Sequence, residues 1–342
     1  MVNKTPVKVS QKIYAVLIIG AGIAGLAAHA IFRQQGIDIS ILEKSRGLGG
    51  RAATRRGENF RADHGAQFFR MKSDAWKLSR DGQRNALQEI YLSSDSRHPR
   101  YTHPEGMSAV ARFFDEHPAV ITLEKVIKII SKMNSDGASV YELTCESGRN
   151  FFARHVLLTA PIPQSLDLLE RSHFQFPDQE IYSDLRKVTY DSCLSVIFEL
   201  KSALSLGNDG IWKNPSPALS GIYNQAEKGL VTASPTLVVH LGSALSRKHW
   251  DSGAETVTAM IHEELQACLK NRGISVRVRA SHFHRWKYSE PVECYPKDFA
   301  FLGTPRHQCI LAGDGFKHSS IEGALLSGIA ASNALCATGG LT

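Results

Sequence analysis

The chain has 342 residues, 43% of them hydrophobic and 21% charged, with a formal net charge of +7, the balance of a soluble enzyme built as two domains or one large interleaved one. The positive charge does not read as a nucleic-acid surface, because Lys and Arg are scattered and their densest cluster is the short segment Arg46 to Arg61. The six cysteines, Cys145, Cys193, Cys268, Cys294, Cys309 and Cys336, form no CxxC or Cys/His metal pattern, which suits reduced, packed thiols in a cytoplasm.

Lys4, Lys8 and Lys12 precede an apolar stretch from Tyr14 to Phe32, superficially in the manner of a secretory signal. The glycines between Ile19 and Leu26 suit a turn better than a continuous membrane helix, so the stretch reads as fold, Lys4 to Lys12 as a short solvated tail, and no other stretch as a membrane span. Tyr14 to Ile19 is apolar and too short for a buried helix, as the first strand of a covered parallel sheet should be. It runs into Gly20-Ala21-Gly22-Ile23-Ala24-Gly25. Gly20 permits the tight turn, Gly22 lets backbone N–H groups approach a pyrophosphate, and Gly25 lets the following helix pack close to the strand. A second strand, Ile37 to Leu42, ends at Glu43, near the spacing of roughly 20 residues at which an acid accepts from ribose hydroxyls. Strand, turn, helix, strand and acid in this order predict a dinucleotide site.

An NAD dehydrogenase would usually continue into ordinary strand and helix after the acid. Here Lys44 is followed by Gly47, Gly49, Gly50 and Arg51, three more glycines where a longer cofactor would pass. Asp63-His64-Gly65-Ala66-Gln67-Phe68-Phe69 comes next, and Ile310-Leu311-Ala312-Gly313-Asp314-Gly315-Phe316 precedes a helix opened by Ser320, Ile321 and Ala324. In these segments the chain resembles the FAD-containing amine oxidase superfamily. The resemblance implies non-covalent FAD, with Lys44, Gly49, Gly50 and Arg51 on the path of the ribose, pyrophosphate and ribityl chain. It also implies that His64, Gly65, Ala66 and Gln67 lie against the ring and that Asp314, after Gly313, holds the ribityl chain. The helix amides at Ser320 to Ala324 would then face the pyrimidine edge, where a reduced flavin carries charge.

Glu105-Gly106-Met107-Ser108, Leu158-Thr159-Ala160-Pro161-Ile162-Pro163 and Arg285-Trp286-Lys287-Tyr288 extend the resemblance over nearly the whole chain to the renalase family and its bacterial members. Glu43-Lys44-Ser45-Arg46 and Phe69 depart from that family's pattern. The resemblance implies oxidation of 2- or 6-dihydro isomers of NAD(P)H to NAD(P)+ by hydride transfer to flavin N5, with O2 reduced to H2O2, as metabolite repair. No second GxGxxG occurs, so a nicotinamide must enter the substrate pocket directly.

The predicted fold is α/β, with a Rossmann-like FAD-binding domain (13–70, 106–163 and 300–338) interleaved with an α+β substrate domain on a mixed or antiparallel sheet (71–105 and 164–299). A helical pattern covers Met107 to Phe114. Strands are predicted at Val120 to Leu123, Val126 to Ile130, Ser139 to Thr144, Phe151 to Thr159, Asp191 to Phe198 and Leu237 to Leu241, with a helix near Ala254 to Leu269. The resemblance places the Val126 backbone on the adenine; a buried strand valine is the other reading. Candidate catalytic residues are Gln67, His240, Trp286 and Tyr288, each also readable as core, with Tyr223, Trp212 and Trp250 behind them. Trp286 and Tyr288 alternate on a strand and face one side. His282 and His284 alternate likewise but have no third ligand, so no metal is expected. Three other readings stay open: an oxidase of small amines, a non-catalytic flavin-binding interaction protein, and a dehydrogenase using a quinone.

Overall fold

A computed structural model describes residues 12–73, 86–92, 95–114, 118–134, 137–304, 306–339 and 341, so Lys4 and Lys8 of the basic tail lie outside the described residues. Strand β1 (Ile13–Ile19) has Val16, Leu17 and Ile18 withdrawn from solvent and turns at Gly20 into α1 (Ile23–Gln34). Strand β2 (Ile39–Glu43) is buried throughout. It starts later than Ile37 because the Ile37 amide bonds back to Phe32 O at 3.0 Å, which makes that residue part of the helix end. Two antiparallel ribbons follow, β3 (Thr54–Arg56) with β4 (Arg61–Asp63) and β5 (Gln88–Leu92) with β6 (Asp95–Thr102).

The helix predicted from Met107 to Phe114 is shorter than its pattern: one α turn, α2 (Met107–Val110), continues as a 3-10 turn over Ala111–Phe113. Strands β7 (Val120–Thr122), β8 (Val126–Met133), β9 (Ser139–Cys145) and β10 (Asn150–Leu158) precede helices α3 (Ile162–Arg171) and α4 (Gln179–Arg186). The substrate-side sheet is then laid down by β11 (Tyr190–Leu200), β12 (Ile211–Lys213), β13 (Leu219–Asn224), β14 (Thr236–Leu241), helices α5 (Ser243–Lys248) and α6 (Ala254–Lys270), and β15 (Val278–Pro291). The chain returns through β16 (Ala300–Phe301) and β17 (Cys309–Leu311) to α7 (Ile321–Ala337).

Among the described residues the first sheet has order β16-β17-β10-β1-β2-β7, with β9 added antiparallel to β10 and β8 antiparallel to β9. Strands β17, β10, β1, β2 and β7 are parallel. Because β1, β10 and β17 are neighbours, their carboxyl ends bring Gly20, Thr159 and Gly313 to one edge, the position at which open α/β sheets bind ligands. Thr159 Oγ1 donates to Ile19 O and Gly20 O at 3.1 and 3.0 Å. Helix α7 packs on α1 so closely that a Cβ at Gly328 would stand 2.2 Å from Ala24 O.

The second sheet, β12-β13-β14-β11-β15, is antiparallel throughout. One face, with Leu194, Val196, Phe198 and Val239, packs on Val257, Ile261 and Leu265 of α6. The other carries Ile197, Tyr223 and Val238 onto Phe60, Ala62 and Ile90, so this sheet roofs the β3–β4 ribbon. Among the described residues no helix is long and apolar enough to cross a membrane and no group of His, Cys, Asp and Glu is arranged to hold a metal ion.

Candidate functional site

Gly22 caps α1 in extended conformation, and a Cβ added there would meet no protein atom within 4 Å. The first turn of α1 has neither a capping side chain nor an acidic residue, so its N–H groups face that open space. Gly49 pairs with Gly22 in a parallel bridge, and its amide donates to Ala21 O at 2.8 Å. Gly49 and Gly50 both have positive φ, and a Cβ on Gly50 would meet Gly22 Cα at 3.3 Å. Two glycine segments thus enclose a bare cradle at a helix N-terminus, which fits a dinucleotide pyrophosphate.

Glu43 is buried at the end of β2; Oε2 accepts from the Ala21 amide at 2.8 Å and Oε1 from the Ser45 amide at 2.7 Å. Its carbonyl accepts from the Glu124 amide at 2.9 Å, which sets the start of β8, with half-buried Val126, on the same side of the cradle. Lys44 is exposed. At the other end, Gly313 N–H donates to Ser327 Oγ at 2.9 Å. The Asp314 carboxylate accepts from Arg51 Nη1 and Nη2, each at 2.6 Å, and from the Tyr190 hydroxyl at 3.2 Å. Arg51 and Asp314, read separately from sequence, are partners, and Arg51 also donates to Tyr288 O at 3.2 Å. Helix α7 is capped by Ser320 Oγ, which accepts from Gly323 N at 2.8 Å, with Ile321 and Ala324 half-buried in its first turn.

Between these ends lies the 63–67 segment. Asp63 is fully buried; Oδ1 accepts from the Thr54 hydroxyl at 2.6 Å and the Met107 amide at 2.8 Å, and Oδ2 from Lys228 Nζ at 2.9 Å. Lys228, also fully buried, donates to Gln67 O at 2.8 Å and Gln67 Oε1 at 2.9 Å. Burial pulls the Lys228 ammonium below its ordinary range and Asp63 opposes this. Gln225 completes the knot: Nε2 donates to Gln67 Oε1 at 3.2 Å, and Oε1 accepts from the Asp63 amide at 2.9 Å. Gln67 Nε2 donates to the carbonyls of Asp63 and Gly65. The Gln67 amide is therefore held at both ends by protein groups. Lys228 and Gln225 escaped sequence reasoning, since a lysine in Gln225-Ala226-Glu227-Lys228-Gly229 reads as a solvated loop residue.

His240 Nε2 lies 3.3 Å from His64 O and 3.5 Å from Gln67 Nε2, with its ring edge-on to Tyr223 at 5.1 Å. Trp286 Nε1 donates to His64 O at 2.9 Å, and its ring lies 4.2 Å from His284 and 5.3 Å from His64. Gly65 has no room for a Cβ, which would meet Arg51 O at 2.1 Å and the Trp286 ring at 3.2 Å. Burial holds His240 down at about 4; burial, with the nearby His284 and Arg55, holds His64 down at about 3. Both are neutral at physiological pH, and His64 Nδ1 is buried without a hydrogen-bond partner.

Gln67, His240, Trp286 and Tyr223 thus converge on the 63–67 segment. Tyr288 sits apart: its carbonyl accepts from Arg51, and its ring lies 5.7 Å from the Tyr190 ring. Trp212 and Trp250 belong to the α6 side of the roof, where Arg272 covers Trp212 at 3.7 Å. His282 stacks on Phe60 at 4.7 Å and reaches Glu199 at 2.9 Å.

Residues 18–81 match an NAD(P)-binding Rossmann-like domain, and residues 86–336, most of the chain, match the flavin containing amine oxidoreductase family. A carotenoid 3,4-desaturase of Haloarcula japonica is 41% identical over 56 residues, which is 16% of this chain and only 11% of the desaturase. A crystal structure assigned as a protoporphyrinogen oxidase of Exiguobacterium sp. 255-15 superposes with TM-score 0.63 and 14% identity, covering 95% of this chain and 99% of that one. A CLA-producing fatty acid isomerase from P. acnes superposes with TM-score 0.64 and 12% identity, covering 95% and 98%. At such identities the likeness is one of fold. The match over residues 86–336 shows more: the chain belongs to the flavin containing amine oxidoreductase family, and its cofactor is a flavin.

Proposed function

We propose that the protein binds FAD non-covalently and oxidises 2- or 6-dihydro isomers of NAD(P)H to NAD(P)+ in the cytoplasm, with O2 as acceptor. In this reading Gly20, Ala21, Gly22, Ile23, Ala24 and Gly25 hold the pyrophosphate, and Glu43 with Lys44 the adenosine ribose, beside the Val126 backbone. Gly49, Gly50 and Arg51, with Gly313 and Asp314, line the ribityl path. His64, Gly65, Ala66 and Gln67 support the ring, and the first turn of α7, with Ser320, Ile321 and Ala324, faces its pyrimidine edge; the Ser320 and Ala324 amides are taken by His318 O and Ser320 O, at 3.0 and 2.9 Å, so the Ile321 end of the helix would meet the ring. When bound, the flavin supplies the hydride acceptor.

The observation that carries the substrate is the wall beside Gly65: Trp286, His284 and His64 present close aromatic faces, while burial keeps His64 and His240 neutral. Such a wall suits a flat ring that loses hydride and leaves as an aromatic cation, a step that needs no general base. Trp286 and His240 position the ring, Gln67 is fixed by Lys228 and Gln225, and Tyr288 acts at the Arg51 side. The overall balance is one dihydronicotinamide, one O2 and one proton giving one NAD(P)+ and one H2O2. Aerobic turnover of borohydride-generated isomers should release NAD(P)+ and H2O2 in equal amounts; absence of both products overturns the reading. Family membership supports a second reading, oxidation of small amines, for which aldehyde release would be the sign.

A further inference from the structure

We propose that Arg55 is an anion-recognising residue at the mouth of the substrate pocket, holding a phosphate of the substrate beside the Trp286 and His284 wall. Side chains alternate in direction along β3. Thr54 turns its hydroxyl to Asp63 and accepts from the Ser108 amide at 3.0 Å, and Arg56 reaches Ser108 Oγ at 3.3 Å, so both point to the α2 side. Arg55 points the opposite way. It stands across from Ala62, whose side chain packs under Ile197, Tyr223 and Val238 of the roof, and two residues from Ala53, whose carbonyl takes the His64 amide at 3.1 Å. Its guanidinium is therefore directed along the ribbon's roof-facing side, toward the rim where His64 and His284 meet at 4.8 Å.

Arg55 is exposed, and among the described residues its side chain forms no ion pair or hydrogen bond. That contrasts with Arg51, bound in both directions to Asp314. The charge of Arg55 is one of the causes that lower His64 and His284, after burial, which agrees with its position next to both rings. Neutral imidazoles cannot balance an added anion, whereas the Arg55 guanidinium beside them can. A planar guanidinium donating two hydrogen bonds matches a phosphate oxygen pair. The identity of the ring that accompanies the phosphate rests on the function proposed above; the anion site does not.

The test uses calorimetric titration of the FAD-loaded protein with inorganic pyrophosphate at low salt. Wild type should bind it, and Arg55→Gln should weaken binding about tenfold or more, the range for a hydrogen-bonded charge pair. Arg56→Gln, an equal charge change on the opposite face of the same strand, should leave binding unaltered. Nicotinamide mononucleotide should bind wild type more tightly than nicotinamide riboside, with the gap closing in Arg55→Gln. Absence of pyrophosphate binding, or equal loss in both arginine variants, overturns the site. Arg55-dependent pyrophosphate binding in a protein that oxidises no dihydronicotinamide isomer would instead retire the substrate reading and leave the anion site standing.

Discussion

Lys228 and Asp63 are joined at 2.9 Å with both side chains withdrawn from solvent. Taking two charges out of water costs several kcal/mol each, and the cost is offset by hydrogen bonds to the remaining lone pairs and protons: Thr54, Met107 and Gln67 complete the shell. Lys228→Met leaves the Asp63 carboxylate without its cation and should destabilise the protein by about 3–5 kcal/mol, read from denaturant unfolding. A loss under about 1 kcal/mol would mean that the pair is not buried in solution. The Asp63-to-Gln67 segment was legible as a motif. Its anchor was not, because Lys228 lies 165 residues from Asp63 and nothing local marks a lysine as buried. Arg51 and Asp314 show the same limit: each is visible in its own motif, while their pairing exists only after the sheet assembles.

At the scale of elements, β1, the glycine turn and α1 were legible because an apolar run, a turn and a helix-period run follow one another with fixed spacing. The open space at Gly22 gives this reading a sharp consequence. Its backbone is extended, φ −75 and ψ 179, and no protein atom lies near an added Cβ, so Gly22→Val should fold with little change in stability yet retain no flavin. Purified variant carrying a full complement of flavin would contradict the cradle. The β3–β4 ribbon went unpredicted for a physical reason: three-residue strands rich in arginine show no usable alternation. Helix α3 left a readable signal that passed unused, with Pro161 and Pro163 at its start and Leu166 and Leu169 on its buried face. The helical pattern after Gly106 overshot because the chain tightens to a 3-10 turn at Ala111.

Across the whole molecule, two sheets with different physics meet at one segment. The parallel sheet supplies strand ends and helix N-termini, where anions are stabilised by backbone groups. The antiparallel sheet supplies a broad face whose side chains alternate, turning Ile197, Tyr223 and Val238 toward the ribbon and Leu194, Val196 and Phe198 toward α6. Lys228 of the second sheet's loop and Asp63 of the ribbon fasten the two together. α/β architecture was legible from motif order, since each motif reports on backbone needs of the cofactor, and the family from the resemblance those motifs carry. Pocket chemistry was less so: Trp286 and His240 come to the site, whereas Trp212, Trp250 and Tyr288 do not join them, and strand alternation alone cannot say which sheet face a residue takes. The substrate assignment meets its most direct test in anaerobic mixing of the flavin-loaded protein with purified 2-, 4- and 6-dihydro isomers of NAD(P)H, following the oxidised-flavin absorbance. Rapid bleaching by the 2- or 6-dihydro isomers but not by ordinary NADH is the predicted result; rapid bleaching by small amines with none by any isomer would contradict it.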